Sequence, residues 1–136
     1  ANSLWEYINT TPNDGIENSV HPTYQGQQMF LWNSIPLTGA KKVFVMFGLN
    51  DVALYGVEGT VQNFEKLFNK IKANVPDVQF YILSATYMLK GSERGSLTSA
   101  NLRKLDAALI DFCLEKGDLI KRKQDREPAY CMVFQP

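Results

Sequence analysis

The sequence contains little of the chemistry on which metalloenzymes, cofactor enzymes and nucleic-acid binding proteins depend. One histidine and two cysteines among 136 residues provide no metal-ligand spacing and cannot build a disulfide framework. It has no glycine-rich phosphate loop, and no apolar run reaches the length of a membrane span. Equal counts of 14 basic and 14 acidic residues give a formal net charge of +0, unlike a nucleic-acid binding surface. We therefore expect no metal, no cofactor, no nucleic-acid partner and no membrane span.

The remaining composition is that of an ordinary globular domain. Hydrophobic residues make up 45% and charged residues 21% of the chain, both typical values. A length of 136 residues predicts a single domain, 1–136, with a loop-rich N-terminal part over 1–40 and a core over 41–117. Cys113 and Cys131 lie in apolar patterns and are interpreted as inert core thiols. None of these features indicates a cellular compartment.

The predicted elements alternate between strand and helix. A short helix is expected within residues 24–35, where Pro36 would end it. The later pattern predicts strands at 42–47 and 79–84 and a short final strand at 129–134, loops at 48–56 and 85–98, and helices at 57–74 and about 100–116. Strand, helix and second strand form a βαβ unit, whose crossover should be right-handed. The sequence therefore predicts an α/β domain with a parallel sheet.

The first predicted strand of this unit ends in Gly48-Leu49-Asn50-Asp51. Parallel strands deliver the residues that follow them to the carboxyl edge of the sheet, where open α/β folds place their chemistry. Gly48 would allow a sharp backbone turn there. Asn50 would present a side-chain amide that can donate a hydrogen bond to developing negative charge. The alternative is an ordinary turn, in which Gly, Asn and Asp are common for backbone reasons alone.

This stretch resembles the Gly-x-Asn-Asp block of the SGNH hydrolases, also called the GDSL lipase/acylhydrolase family, and the similarity extends over about residues 41–117. The resemblance implies a three-layer α/β/α fold with a parallel, flavodoxin-like sheet. It also implies hydrolysis of an acyl or acetyl ester, of lipid or carbohydrate, through a serine acyl-enzyme, with Asn50 as an oxyanion-hole donor. The family's Gly-Asp-Ser block and first strand are missing from this sequence. We therefore expect a domain that is either incomplete or permuted.

The histidine that such a site needs has one candidate. His21 lies in Val20-His21-Pro22-Thr23, which resembles the family's histidine block. It precedes the Gly-x-Asn-Asp block, however, and Asn18 stands where the family has an orienting aspartate. His21 is therefore interpreted either as a weakened base in a permuted order or as a structural or solvated loop residue. Asp14 could orient it only if the loop folds back.

Three further residues are candidates for roles around Asn50. Ser84 ends the second predicted strand and is considered as a nucleophile, although strand-end serines more often satisfy backbone groups. Gly26 is the candidate for a second, backbone oxyanion donor, because Gly39 is better placed to serve the turn into the strand at residue 42. Asp51 is expected to be structural, accepting backbone bonds from the following loop and holding Asn50 in place.

Three functional hypotheses follow. The first is an SGNH-type esterase acting on a small-molecule ester. The second is a catalytically incomplete member or fragment that binds a ligand or partner through the same cleft. The third is an unrelated doubly wound domain. Burial of Asn50 away from any cleft would favour it.

A missing first strand would also leave a sheet edge open, so a homodimer is among the expected partners. Aromatic residues before the sheet would line a sugar or acyl pocket, or pack in the core: Trp5, Tyr7, Tyr24, Phe30 and Trp32.

Overall fold

The computed structural model describes residues 2–12, 20–116 and 129–134. The elements in chain order are α1 (Leu4–Asn9), β1 (Thr23–Tyr24), β2 (Gln27–Gln28), α2 (Leu31–Thr38), β3 (Lys42–Val45), α3 (Leu49–Asn74), β4 (Gln79–Leu83), α4 (Ser99–Lys116) and β5 (Tyr130–Val133). Strands β3, β4 and β5 form a parallel sheet in that order, and β1 and β2 form a small antiparallel hairpin. The prediction of a mixed α/β fold with a parallel sheet is confirmed.

One face of the parallel sheet is covered by α3 and α4. Alternate residues of β4 point to this face, and Phe80 and Ile82 are fully buried there. The ring of Phe68 on α3 stacks on Phe80 with 4.0 Å between ring centroids. Phe112 on α4 meets Tyr130 of β5 edge-to-face at 5.6 Å. The apolar spacing that predicted these two helices is therefore the spacing that builds the core.

The opposite face of the sheet carries apolar side chains that the described residues leave open. Phe44 is 65% exposed and Met46 is 60% exposed. The Phe44 ring stacks on that of Tyr81 in the neighbouring strand, with 4.7 Å between centroids. Parallel sheets ordinarily have both faces buried, and their strands are apolar on both sides for that reason. These strands have that composition, but among the described residues only one face is packed.

The predicted loop over 48–56 is wrong. Helix α3 begins at Leu49, with the Val52 N–H donating to the Gly48 carbonyl over 2.8 Å. Asp51 lies in its first turn, where a carboxylate is favourable beside the positive end of the helix dipole. Gly56 breaks the helix, with φ 70° and ψ −177°. The helix predicted at 57–74 is the part of α3 that follows this break.

The predicted end of the preceding helix is also wrong. Helix α2 starts later, at Leu31, and contains Pro36 in its interior. Proline has no N–H to give to the carbonyl four residues earlier, which here belongs to Trp32. The side-chain amide of Asn74, at the end of α3, donates to that carbonyl over 2.7 Å. A partner from a distant element therefore satisfies the group that Pro36 leaves open.

Gly39 takes the turn-forming role that the sequence predicted. It caps the C-terminus of α2 in the left-handed conformation, with φ 73°. A left-handed residue at this position is a common way to end a helix. The chain then enters β3 at Lys42. None of the helices in the described part of the chain has both the length and the apolarity needed to cross a membrane.

Replacing phenylalanines on opposite sheet faces should test which face is packed. Phe80→Ala should lower the free energy of unfolding by about 3–5 kcal/mol, because it empties a fully enclosed site. Phe44→Ala should change it by about 0.5 kcal/mol or less. Denaturant titrations at several protein concentrations would measure both. A large, concentration-dependent loss for Phe44→Ala would instead show that another copy of the chain covers this face, as the expected homodimer would.

Candidate functional site

A cleft of about 460 Å³ lies at the carboxyl ends of β3 and β4. This is the edge at which open α/β sheets place their ligands. Most of its lining is apolar, and amide and hydroxyl groups are supplied by two asparagines and a threonine. The lining residues are Asn2, Met46, Phe47, Gly48, Leu49, Asn50, Ala85 and Thr86. The strand pattern therefore predicted correctly where Gly48 and Asn50 would lie.

Gly48 makes the turn from β3 into α3 in a conformation that other residues rarely adopt. Its φ is 135° and its ψ is −31°. A Cβ at this position would also lie 2.7 Å from Cδ2 of Leu105, a fully buried residue of α4. Glycine is needed here both for the backbone angle and for the close approach of α4.

Asn50 lies in the first turn of α3 and is half-buried in the cleft wall. Its Nδ2 donates to the backbone carbonyl of Asn2 over 2.8 Å, and an amide nitrogen carries a second N–H donor. The first N–H groups of a helix have no intrahelical acceptor, and the helix dipole is positive at this end. This wall of the cleft is therefore suited to hold a carbonyl oxygen or a negative charge.

Asp51 has a structural role, but not with the partners predicted. It is completely buried, and its Oδ2 and Oδ1 accept the backbone N–H groups of Leu4 and Trp5 at 3.0 and 3.4 Å. The side chain of Asn63 also bonds to it. These partners belong to α1 and the middle of α3 rather than to the following loop. Asp51 therefore fastens α1 beside Asn50.

Burial raises the pKa of the Asp51 carboxyl, and the bonds from Leu4, Trp5 and Asn63 oppose that rise. A buried carboxylate loses its hydration, which disfavours the charged form. Several hydrogen bonds to the charged form offset part of that cost. The docking of α1 is consequently linked to the protonation of this group.

The turn that precedes α1 is a part of the site that sequence reasoning missed. Ser3 is the N-cap of α1, and its hydroxyl accepts the backbone N–H of Glu6 at 3.2 Å. The Glu6 carboxylate in return accepts the Ser3 N–H at 2.7 Å and the Ser3 hydroxyl at 3.2 Å. This is a capping box, and the Ser-x-x-Glu spacing was its visible signal. It holds Asn2 in the cleft lining and buries Ser3 next to it.

His21 is neither a solvated loop residue nor part of the cleft lining. It is 4% exposed, and its ring packs edge-to-face against Tyr7 and Phe30, with centroids 6.2 and 5.2 Å away. Its Nε2 lies 2.9 Å from both the carbonyl and the hydroxyl oxygen of Thr10. The Thr10 hydroxyl donates to the Glu6 carbonyl, so Nε2 is the donor to Thr10. The suggested partners Asn18 and Asp14 lie outside the described residues.

Gly26 does not contribute to the cleft. It lies at the tip of the β1–β2 hairpin, where Gln25 and Gly26 have φ values of 49° and 80°. Two consecutive positive φ angles are typical of a type I′ turn, which explains this glycine fully. The turn therefore accounts for Gly26, which is not among the residues that line the cleft.

Ser84 lies at the predicted edge but in a buried position. It directly precedes the lining residue Ala85, and its N–H donates to the Val133 carbonyl over 2.8 Å. By strand alternation it shares the helix-covered face of Phe80 and Ile82.

The thiol of Cys113 is likewise buried, which raises its pKa to about 11 and makes it a poor nucleophile.

The structure thus brings Gly48, Asn50 and Asp51 together at one edge, with Ser3 and Ser84 each next to a lining residue. The cleft lining itself, among the described residues, contains no serine, histidine or cysteine. In the described ranges, no three histidine, cysteine or acidic side chains cluster so as to hold a metal ion. Asn50 borders the cleft and is not buried away from it, so the observation that would favour an unrelated domain is not met.

Comparison of the chain with protein-family models, with curated proteins and with solved structures found no match.

Gly48→Ala should lower the free energy of unfolding by more than the backbone strain of its positive φ accounts for. Gly91 provides the matched control, since it also has a positive φ, of 90°, but a Cβ added there would meet no neighbouring atom within 4 Å. Each substitution should cost about 1–3 kcal/mol for the backbone strain. Gly48→Ala should cost more because Leu105 must also move. Equal losses in chemical denaturation would contradict the close contact with α4.

Asp51→Asn should flatten the dependence of stability on pH. The folded-state pKa of Asp51 is raised above 3.8. The folded protein therefore binds a proton at the Asp51 carboxyl group more tightly than the unfolded chain does. The contribution of Asp51 to stability is therefore fully present below about pH 4 and falls as the pH rises through the folded-state pKa. Unfolding free energies measured from acid to neutral pH would show the slope. Asp111→Asn, an exposed change on α4, should leave it unaltered.

Proposed function

We propose that the cleft is the oxyanion-binding part of an ester hydrolase site of the SGNH type, within a three-layer α/β/α domain. The observation that supports this proposal is the placement of Asn50. The turn at Gly48 presents the Asn50 amide and the N-terminus of α3 to the same wall of the cleft. Preorganised donors of this kind stabilise the negative charge that develops on a carbonyl oxygen during acyl transfer.

The lining favours a small acyl or acetyl ester as the substrate. The carbonyl oxygen would lie against Asn50, and the acyl group would contact the apolar side chains of Met46, Phe47 and Ala85. A serine hydroxyl would attack the carbonyl carbon, and the ester C–O bond would break as the alcohol leaves with the serine's proton. Water would then hydrolyse the acyl-enzyme, releasing the acid and restoring the serine hydroxyl. Ser3 and Ser84 are candidates because Asn2 and Ala85, their chain neighbours, line the cleft. His21 is not proposed as the base, because its ring is packed between Tyr7 and Phe30.

A second candidate function is ligand binding without turnover. It is favoured by a lining that, among the described residues, lacks serine, histidine and cysteine, and by the bond that already engages the Asn50 amide with the Asn2 carbonyl. In this case the cleft would bind an acyl or carboxylate group and would not hydrolyse it. The two functions differ in whether one serine becomes covalently modified.

Labelling with a fluorophosphonate, followed by intact-mass measurement and peptide mapping, should distinguish these functions. A stoichiometric adduct on one serine is the outcome expected for a hydrolase. Ser3→Ala and Ser84→Ala variants would identify the residue, and Ser92→Ala, in an exposed loop, is the matched control. Folded protein that takes up no label would contradict the hydrolase proposal and favour the binding function.

Asn50→Ala should slow ester hydrolysis by about 10²–10³-fold, because it removes a donor aimed at the developing oxyanion. Asn69→Ala changes an exposed asparagine farther along α3 and should leave the rate unaltered. The thermal midpoint of each variant should be measured as well, since Asn50 also bonds to the Asn2 carbonyl. An unchanged rate in well-folded Asn50→Ala protein would remove Asn50 from the mechanism.

A further inference from the structure

A buried carboxyl group lies behind the wall of the cleft that Ala85 and Thr86 form. Asp106 is on α4 and only 4% exposed. Its Oδ2 accepts the hydroxyl of Tyr87 at 3.2 Å, and the backbone N–H of Ala85 also bonds to this carboxyl group. Its Oδ1 has no hydrogen-bond partner among the described residues. A buried polar atom of this kind is rare and needs a physical explanation.

The position of Asp106 relates it directly to the cleft. Ala85 and Thr86 form the wall that follows β4, and the carboxyl group bonds to residues on either side of Thr86. Leu105 precedes Asp106 on α4. Its side chain packs against Gly48, on the opposite wall of the cleft, where a Cβ would collide with it. One turn of α4 therefore contacts the chain where it leaves β3 and where it leaves β4.

We propose that Asp106 is a positioning residue of the cleft, whose carboxyl group holds the Ala85–Thr86 wall through the Ala85 amide and the Tyr87 hydroxyl. Because no described residue bonds to the buried Oδ1, no hydrogen bond there stabilises a negative charge, and the site favours the neutral carboxyl group. The positioning role concerns the shape of the cleft and holds whether the ligand is hydrolysed or only bound.

The surroundings of Asp106 favour the neutral form. Burial is the main cause that raises the pKa of this carboxyl group, and the hydrogen bonds from Tyr87 and Ala85 act in the opposite direction. Among the described residues, the ionisable groups linked to it by identified contacts are Tyr87 and, over the Tyr87 ring at 5.1 Å, Arg103 of α4. When Asp106 ionises, a charge appears behind the wall and both of its hydrogen bonds to the wall become charge-assisted. The wall should therefore differ between low and high pH.

The backbone amide of Ala85 is the natural probe of this proposal. In ¹H–¹⁵N spectra its shift should titrate with an apparent pKa above the ordinary aspartate value of 3.8. Asp106→Asn should abolish the titration, because amide groups do not ionise. Tyr87→Phe should move the titration to higher pH, since the hydroxyl bond that favours the charged form is lost. Asp111→Asn, an exposed change on the same helix, should leave it unaltered.

Hydrogen exchange tests the positioning role separately from protonation. Asp106→Ala should speed exchange at the Ala85 amide by about tenfold, the equivalent of one lost buried hydrogen bond. Asp106→Asn retains an acceptor oxygen and should keep most of the protection. If Asp106→Ala does not fold, the titrations of the Ala85 amide in Asp106→Asn and Tyr87→Phe still test the proposal. An Ala85 amide that does not titrate, or that titrates identically in Asp106→Asn, would overturn the proposal.

Discussion

The arrangement of the cleft depends on the buried carboxyl group of Asp51. It accepts the first backbone N–H groups of α1 and bonds to Asn63 on α3. Without it, the buried N–H of Leu4 would have no partner, which costs about 1–3 kcal/mol, and the partly buried N–H of Trp5 would lose its longer bond. Because α1 is docked in this way, the Asn2 carbonyl reaches the Asn50 amide. Asp51, which follows the candidate oxyanion donor Asn50 in the sequence, therefore holds in place the residues of α1 that lie next to Asn50.

Helix α4 provides the second constraint on the site. Its Leu105 packs where Gly48 has no side chain, and its Asp106 bonds to the strand end that carries Ala85. The turns after β3 and β4 are consequently held from the side of the packed helices. The other sheet face, with Phe44 and Met46, is open among the described residues. Both turns of the cleft are therefore supported from the packed side of the sheet.

Sequence reasoning located Asn50 and Gly48 correctly because their signals are local. An apolar strand followed by glycine leads to the carboxyl edge in any parallel sheet, whatever else packs around it. The prediction that Pro36 ends its helix was wrong, and the interpretations of His21 stayed open, because both outcomes depend on distant partners. Pro36 is tolerated inside α2 because Asn74 satisfies the freed carbonyl. His21 is buried because Tyr7, Phe30 and Thr10 enclose it.

The sequence by itself determined the alternation of strands and helices, the core faces of α3 and α4, and the edge on which Asn50 lies. These follow from apolar periodicity and from glycine's backbone freedom, which act over a few residues. Only the tertiary structure decided that Asp51 bonds to α1, that Ser3 lies beside the cleft, and that Asp106 is buried behind its wall. Hydrogen bonds between residues 47 positions apart, such as Leu4 to Asp51, leave no periodic trace in the sequence. They form because burial makes an unpaired polar group costly, and burial is a property of the packed chain.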